Sequence, residues 1–299
     1  MTTGTFEREV APDAVDPLGL DGIEFIEYTT HRPQALGHVL ETMGFRPVAR
    51  HRSREVLLYR QGEMNVVVNA SAAAPADGAP ATPDAPTIAA IALRVRDASA
   101  AYRRVLELGA WAVATKVEVM ELNIPAIHGV GGSRIYFVDR HREFSIYDVD
   151  FVPIPSVDHR PPPLHGLHWF GIVQYIGNDR MQDWTEFYSA LFGFRALPDD
   201  QRFGVLPKGR VLIGPGAAGT RFYIQLVEPE PGIVDASGRE WIARIGLGTP
   251  DVRACVADLR SRGVIFEETQ AVHTEERGAL THAQPGSPTF ELVRDSRAS

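Results

Sequence analysis

One cysteine, Cys255, stands in 299 residues, so the chain carries no intrachain disulfide and no thiolate cluster for a metal. That usage fits the reducing cytoplasm, which is the expected location. Cys255 keeps helical spacing with Val252, Val256 and Leu259 and reads as a small buried residue. An excess of basic charge is missing too: 30 Lys and Arg face 38 Asp and Glu, a net charge of −8. With no long basic run to hold a phosphate backbone, nucleic acid is not an expected partner. Nor is there a run approaching the ~18 apolar residues of a membrane span, and the opening "MTTGTFEREVAPDAVDPLGL" has no basic start with an apolar stretch behind it. Neither a membrane segment nor an export signal is expected.

What the sequence does have is a repeat. "TIAAIALRVRDASAAYRRVLELGA" (87–110) and "EWIARIGLGTPDVRACVADLRSRGV" (240–264) share one plan: an apolar strand, an Asp opening a helix, and a Gly closing it. Asp97 and Asp251 are natural N-caps, and Gly109 and Gly263 suit the position just past the helix end. Upstream of each copy, "PQALGHVLETMGF" and "MQDWTEFYSALFGF" repeat a second helix, with apolar residues three and four apart. A repeat this long implies two copies of one supersecondary unit. The expected organisation is an N-terminal extension over 1–20, a first domain over 21–151, a linker over 152–166 and a second domain over 167–299. Proline density in "VPIPSVDHRPPPLHG" sets the linker. "ASAAAPADGAPATPDAP" (70–86) is too poor in large apolar residues to pack and reads as a surface loop.

Arg244 interrupts the strand of the second copy. A buried Arg is costly without a carboxylate and acceptors around it, so this position is either a solvated edge or a site.

The segments "GIEFIEYTT", "MGFRPVARHRSREVLLYRQGEMNVVVN", "ELNIPAIHGVGGSRIYFVDR" and "SIYDVDFV" closely resemble the N-terminal half of bacterial 4-hydroxyphenylpyruvate dioxygenases. The likeness continues more weakly through "RMQDWTEFYSALFGF" and "GTPDVRACVADLRSRGVIF". Those enzymes belong to the vicinal-oxygen-chelate (glyoxalase/bleomycin-resistance) superfamily. The resemblance therefore implies an α+β fold of two tandem domains, each of paired βαβββ modules forming a cupped barrel. It also implies a structural first half, chemistry in the second cup, and a possible homo-oligomer.

In the family, two His and one Glu hold Fe(II) in that cup, a donor set that suits non-haem iron. On the matching positions Glu291 of "GSPTFELV" is kept, while Arg244 of "ARIGL" replaces one His. The other His falls on Gly171 when counted back from Met181, or on Gln174 when "IVQYIGN" is matched. Neither is a His. His168 is a weak fallback: an odd offset from Gly171 turns it to the opposite face, and from Gln174 it is roughly 20 Å away. His282 in "ALTHAQPGSPTFELV" stands at the level of an inward polar residue of the family, and Gln225 and Val227 match a further inward pair. The resemblance leads us to expect no closing helix after Glu291.

Three functions follow as expectations. The first is a metal-independent binder, lyase or isomerase of a small carboxylic or keto acid, aromatic acids included. Arg244, Gln225 and Gln174 would hold the acid, Glu291 and His282 would move a proton, and no cofactor would be needed. The second is an Fe(II) dioxygenase with a rearranged site using His168 or His282 with Glu291; the third is a non-catalytic scaffold. The leading expectation is that Arg244 stands in for the ion's charge, either as a structural ion pair with Glu291 or as an anchor for the carboxylate of a small acid. "HGVGG" and "GPGAAG" are tight turns rather than phosphate loops, and Trp184, Phe187, Tyr188, Phe192 and Phe194 are core.

Overall fold

The computed structural model describes residues 16–70, 85–114, 122–141, 144–198, 209–217, 219–230, 238–267, 278–282 and 287–295. The proposed surface loop and the turn near Pro285 lie largely outside these residues.

The first half runs β1 (Ile23–Thr29), α1 (Pro33–Thr42), β2 (Arg46–His51), β3 (Val56–Gln61), β4 (Met64–Asn69), β5 (Thr87–Arg94), α2 (Ala98–Glu107), β6 (Ala126–His128), β7 (Arg134–Val138), α3 (Ile146–Asp150) and β8 (Phe151–Pro153). Its strands form one mixed sheet in the order β6-β7-β5-β1-β4-β3-β2-β8. The second half runs β9 (His168–Tyr175), α4 (Met181–Phe192), β10 (Arg195–Ala196), β11 (Arg210–Ile213), β12 (Tyr223–Val227), β13 (Trp241–Thr249), α5 (Val252–Ser261), β14 (Gly278–Leu280) and β15 (Phe290–Arg294). Its sheet has the order β10-β11-β12-β9-β13-β15-β14. In both, the parallel pairs (β1 with β4 and β5 with β7; β9 with β12 and β13 with β15) flank one central antiparallel pair. The α+β class and the tandem arrangement hold.

The helices begin and end where the capping chemistry directs. Asp97 accepts from the Ala100 amide at 2.8 Å and Asp251 from the Ala254 amide at 2.9 Å. Gly109 and Gly263 take φ of +93° and +96°, a conformation that costs glycine nothing. Each helix buries one apolar stripe on its sheet. Leu36 and Leu40, Ala101 and Val105, Tyr188 and Leu191, and Cys255 and Leu259 all join one core that spans both halves. Phe137 stacks on Phe192 and Phe45 meets Trp169 across it, at ring-centroid distances of 6.2 and 6.4 Å. With the helices on that side, the opposite face of each sheet is left as an open cup.

Candidate functional site

Two bulges shape the second cup. The register between β9 and β13 shifts between the Trp169–Leu247 and Gly171–Gly246 pairs, leaving Phe170 as an extra residue; a second shift leaves Ala243 extra on β13. A bulge reverses which face the following residues present. Ile242 and Gln174 therefore face the helix layer, whereas Arg244 beside Val173, and Gly246 beside Gly171, face the cup. Glu291 joins them from β15, paired to Gly246. The guanidinium that looked misplaced in an apolar strand is aimed into the cup by a bulge one residue earlier.

Arg244 Nε donates to Glu291 Oε2 at 3.0 Å, and the two side chains are 6% and 4% exposed. Arg244 Nη2 is buried with no hydrogen-bond partner among the described residues. Gln225 is buried on the same face. The rest of the cup is filled: Phe170 stacks on Tyr223 with centroids 4.5 Å apart. The remaining space is about 30 Å³, room on the order of one or two waters.

Of the expected site residues, Arg244, Glu291 and Gln225 are brought together and the others are not. Gln174 is a correction: it lies against α4, its amide exchanging hydrogen bonds with the Tyr188 hydroxyl at 2.7 and 3.1 Å. That leaves Gly171 as the cup-facing alternative. A Cβ there would lie 2.2 Å from the Tyr223 carbonyl oxygen, so no side chain fits without moving β12. His282 is a second correction. It is 48% exposed, with Nδ1 on Glu267 Oε1 at 2.8 Å. The expectation that His168 faces away from Gly171 fails because the Phe170 bulge breaks the alternation; its ring lies across Gly248. Both ring nitrogens are occupied, Nε2 by Asp295 at 3.0 Å and Nδ1 by the Gly166 carbonyl at 2.9 Å. His165, expected to be merely solvated, contacts Asp258 at 3.2 Å.

Fe(II) in this class of cup needs imidazole and carboxylate donors converging with open positions. The described residues of this cup offer one carboxylate, already held by a guanidinium, and a glycine whose Cβ position is blocked. No group of three His, Cys, Asp or Glu side chains able to hold a metal occurs among the described residues. This donor set does not fit the ion.

The first cup carries charge that sequence reasoning passed over. A register shift on β1 leaves Glu24 as the extra residue between Ile23 and Phe25. Its carboxylate is buried, held by Arg94 Nε and by Asn65 Nδ2 at 3.3 Å. The signal was available, since "GIEFIEYTT" puts two carboxylates into an apolar strand where each requires a partner. The second, Glu27, meets Asn69 at 2.8 Å and Arg134 at 3.1 Å.

Two tandem sheets, each with helices on one face and a bulge-lined cup on the other, define a two-domain protein of the vicinal-oxygen-chelate class. Comparison with known proteins agrees. Residues 15–152 match the family model described as "Hydroxyphenylpyruvate dioxygenase, HPPD, N-terminal". The chain is 36% identical over 268 residues to Hemolysin VllY of Vibrio vulnificus, covering 86% of this chain and 74% of that one. It is 32% identical over 290 residues to 4-hydroxyphenylpyruvate dioxygenase of Pseudomonas aeruginosa, covering 93% and 80%. Among solved structures, a mutant 4-hydroxymandelate synthase from Streptomyces coelicolor superposes with a TM-score of 0.70 at 19% identity over 95% of this chain and 94% of that one, a likeness of fold. The chain belongs to the 4-hydroxyphenylpyruvate dioxygenase family. No helix among the described residues is long and apolar enough to cross a membrane.

Proposed function

We propose that this protein is a metal-independent member of its family, in which the Arg244–Glu291 ion pair takes over the charge balance that iron supplies in the second cup, and that it binds a small carboxylic or keto acid. The observation that carries the reading is the buried 3.0 Å contact between these two side chains. A guanidinium satisfies a buried carboxylate without a metal, and a carboxylate held in this way is a poor ligand for a cation. Arg244 Nη2, buried and without a partner among the described residues, is the donor that would take a carboxylate oxygen of the acid, with Gln225 across β9 on the other side of Val173. In a lyase or isomerase any proton transfer would fall to Glu291, not to His282, which is committed to Glu267. The residual space of about 30 Å³ supports a carboxylate head and no ring, unless Phe170 swings away from Tyr223. The same filling favours a second reading, a scaffold in which the ion pair is purely structural.

Metal content after incubation with Fe(II), cobalt or zinc, compared with Glu291→Ala, tests the metal-independent reading. No bound metal in either protein is the expected result; one equivalent that disappears in the variant refutes it. Calorimetric titration with pyruvate separates binder from scaffold. Saturable binding lost in Arg244→Met supports the binder, and no binding to either protein leaves the structural ion pair as the correct reading.

A further inference from the structure

The two cups differ in the space they hold. The first cup encloses about 940 Å³, within the range of roughly 300–1,000 Å³ typical of small-molecule sites, whereas the second retains about 30 Å³. Its floor is built around Asn65, which is buried and bonded on both sides. Nδ2 donates to the Glu24 carboxylate, and Oδ1 accepts from Arg60 Nε at 2.8 Å. Glu24 is neutralised by Arg94. Arg60 is not neutralised. Its other bond is from Nη1 to the His159 carbonyl at 2.9 Å, and its guanidinium lies 5.5 Å from the Tyr147 ring centroid. All three partners are uncharged, and no carboxylate meets Arg60 among the described residues. Arg52 and Arg160 line the same space, as do Glu63 and Asp148, so its four arginines outnumber its three carboxylates by one.

Val48, Leu58 and Phe151 give the same cavity an apolar stretch of lining, with Leu58 two residues from Arg60 on β3. The proline-rich linker closes the rim: the Pro161 carbonyl accepts from the Gly62 amide at 2.8 Å, and His159 is tied to Arg60. Tyr147 is held edge-on to Phe151 at 5.8 Å. Its hydroxyl is buried without a hydrogen-bond partner among the described residues, and burial together with the Glu24 charge pushes its pKa well above the ordinary tyrosine value. It therefore remains a neutral hydrogen-bonding group.

We propose that the first cup is a binding site for a small monocarboxylic acid with an apolar body, its carboxylate taken by the free donors of Arg60 and its body resting on Val48, Leu58 and Phe151. A guanidinium fork is built for a carboxylate, and the neutral Asn65 and His159 carbonyl partners orient that fork without spending its charge. The inference is independent of what Arg244 does in the second domain.

Calorimetric titration of the full chain with benzoate tests it, with benzyl alcohol as the uncharged control. Saturable binding of benzoate, at least tenfold weaker for benzyl alcohol and at least tenfold weaker in Arg60→Gln, is the expected result. A circular-dichroism melt of Arg60→Gln that overlays the parent establishes that the loss is not unfolding; should that variant fail to fold, Leu58→Trp, which fills the apolar wall, is expected to block the site instead. Three results overturn the proposal. One is absence of saturation up to about 10 mM benzoate, beyond the range of a millimolar site. Another is equal binding of inorganic phosphate, meaning that charge alone is read. The third is binding that survives Arg60→Gln and disappears in Arg244→Met, which moves the acid to the second cup.

Discussion

Replacing Glu291 by leucine removes the carboxylate from a pair whose side chains are 6% and 4% exposed. Arg244 is then left charged in the sheet interior with two donors unmet, the freed Nε and the already unpartnered Nη2. Breaking such a pair from one side costs about 3–5 kcal/mol, because the remaining ion has lost its compensation without regaining water. Arg244→Met strands Glu291 by the same logic and is expected to cost a similar amount. The double variant Arg244→Met, Glu291→Leu removes both ions and leaves two apolar side chains of comparable volume, a change that is often neutral or stabilising. The expected cycle is therefore strongly non-additive, with a coupling of about 3 kcal/mol or more. Denaturant unfolding followed by tryptophan fluorescence measures it, since Trp169 and Trp241 lie on the strands that frame the cup. Asp183→Ala is the internal control: its ion pair with Arg180 is 46% and 58% exposed, so the loss should stay below about 1 kcal/mol. A Glu291→Leu protein within about 1 kcal/mol of the parent, or a double variant as unstable as the two singles summed, would refute the claim that this pair is desolvated and mutually dependent.

Installing imidazoles with Gly171→His and Arg244→His is expected not to create an iron site, because the Cβ at residue 171 would lie 2.2 Å from a backbone oxygen; stoichiometric Fe(II) in the purified double variant would show that β12 moves aside. Tyr188→Phe should cost about 1–3 kcal/mol by leaving the buried Gln174 amide without its partner, while acid binding measured by calorimetry stays unchanged, as a helix-side pair predicts. Cys255 is fully buried, and burial followed by the Asp258 charge pushes its thiol up to about 12 from an ordinary 9.0. The protonated thiol is thus favoured in the folded state, so its contribution to stability is intact below pH 9.0 and is lost as pH rises toward about 12. An aromatic disulfide reagent at pH 8 should label Cys255 only in denaturant, and rapid labelling of the folded protein would contradict the burial.

The architecture was legible because it rests on local, repeated chemistry. Asp97 and Asp251 fix where two helices begin, Gly109 and Gly263 fix where they stop, and the same apolar stripes recur in both halves. Arg244 and Glu291 were legible as a pair for a different reason. Each is a polar residue in an apolar strand, so each needs the other whatever the details of the fold.

The facing of side chains along the strands was not legible where the register is irregular. Alternation along a strand predicts facing only while the register is regular, and extra residues break it at Glu24 on β1, Val48 on β2, Ala89 on β5, Phe170 on β9 and Ala243 on β13. One of them brought His168 round to the side of Gly171 and another set Arg244 on the cup face next to a helix-facing Ile242. Glu24 is the bulge of greatest consequence, because it turns a buried carboxylate into the first cup, where Asn65 couples it to the unneutralised Arg60. Bulges gather where a strand has to re-aim a side chain, and here Glu24 belongs to a charged cluster and Ala243 directly precedes the paired Arg244. The sequence resemblance directs attention to the second cup, where iron chemistry resides in the family, yet there Phe170 stacks on Tyr223 and Glu291 is held by Arg244. The unneutralised Arg60, the cavity of about 940 Å³ around it and its apolar lining lie in the half that matches the family model, so an acid ligand is to be sought first at Arg60.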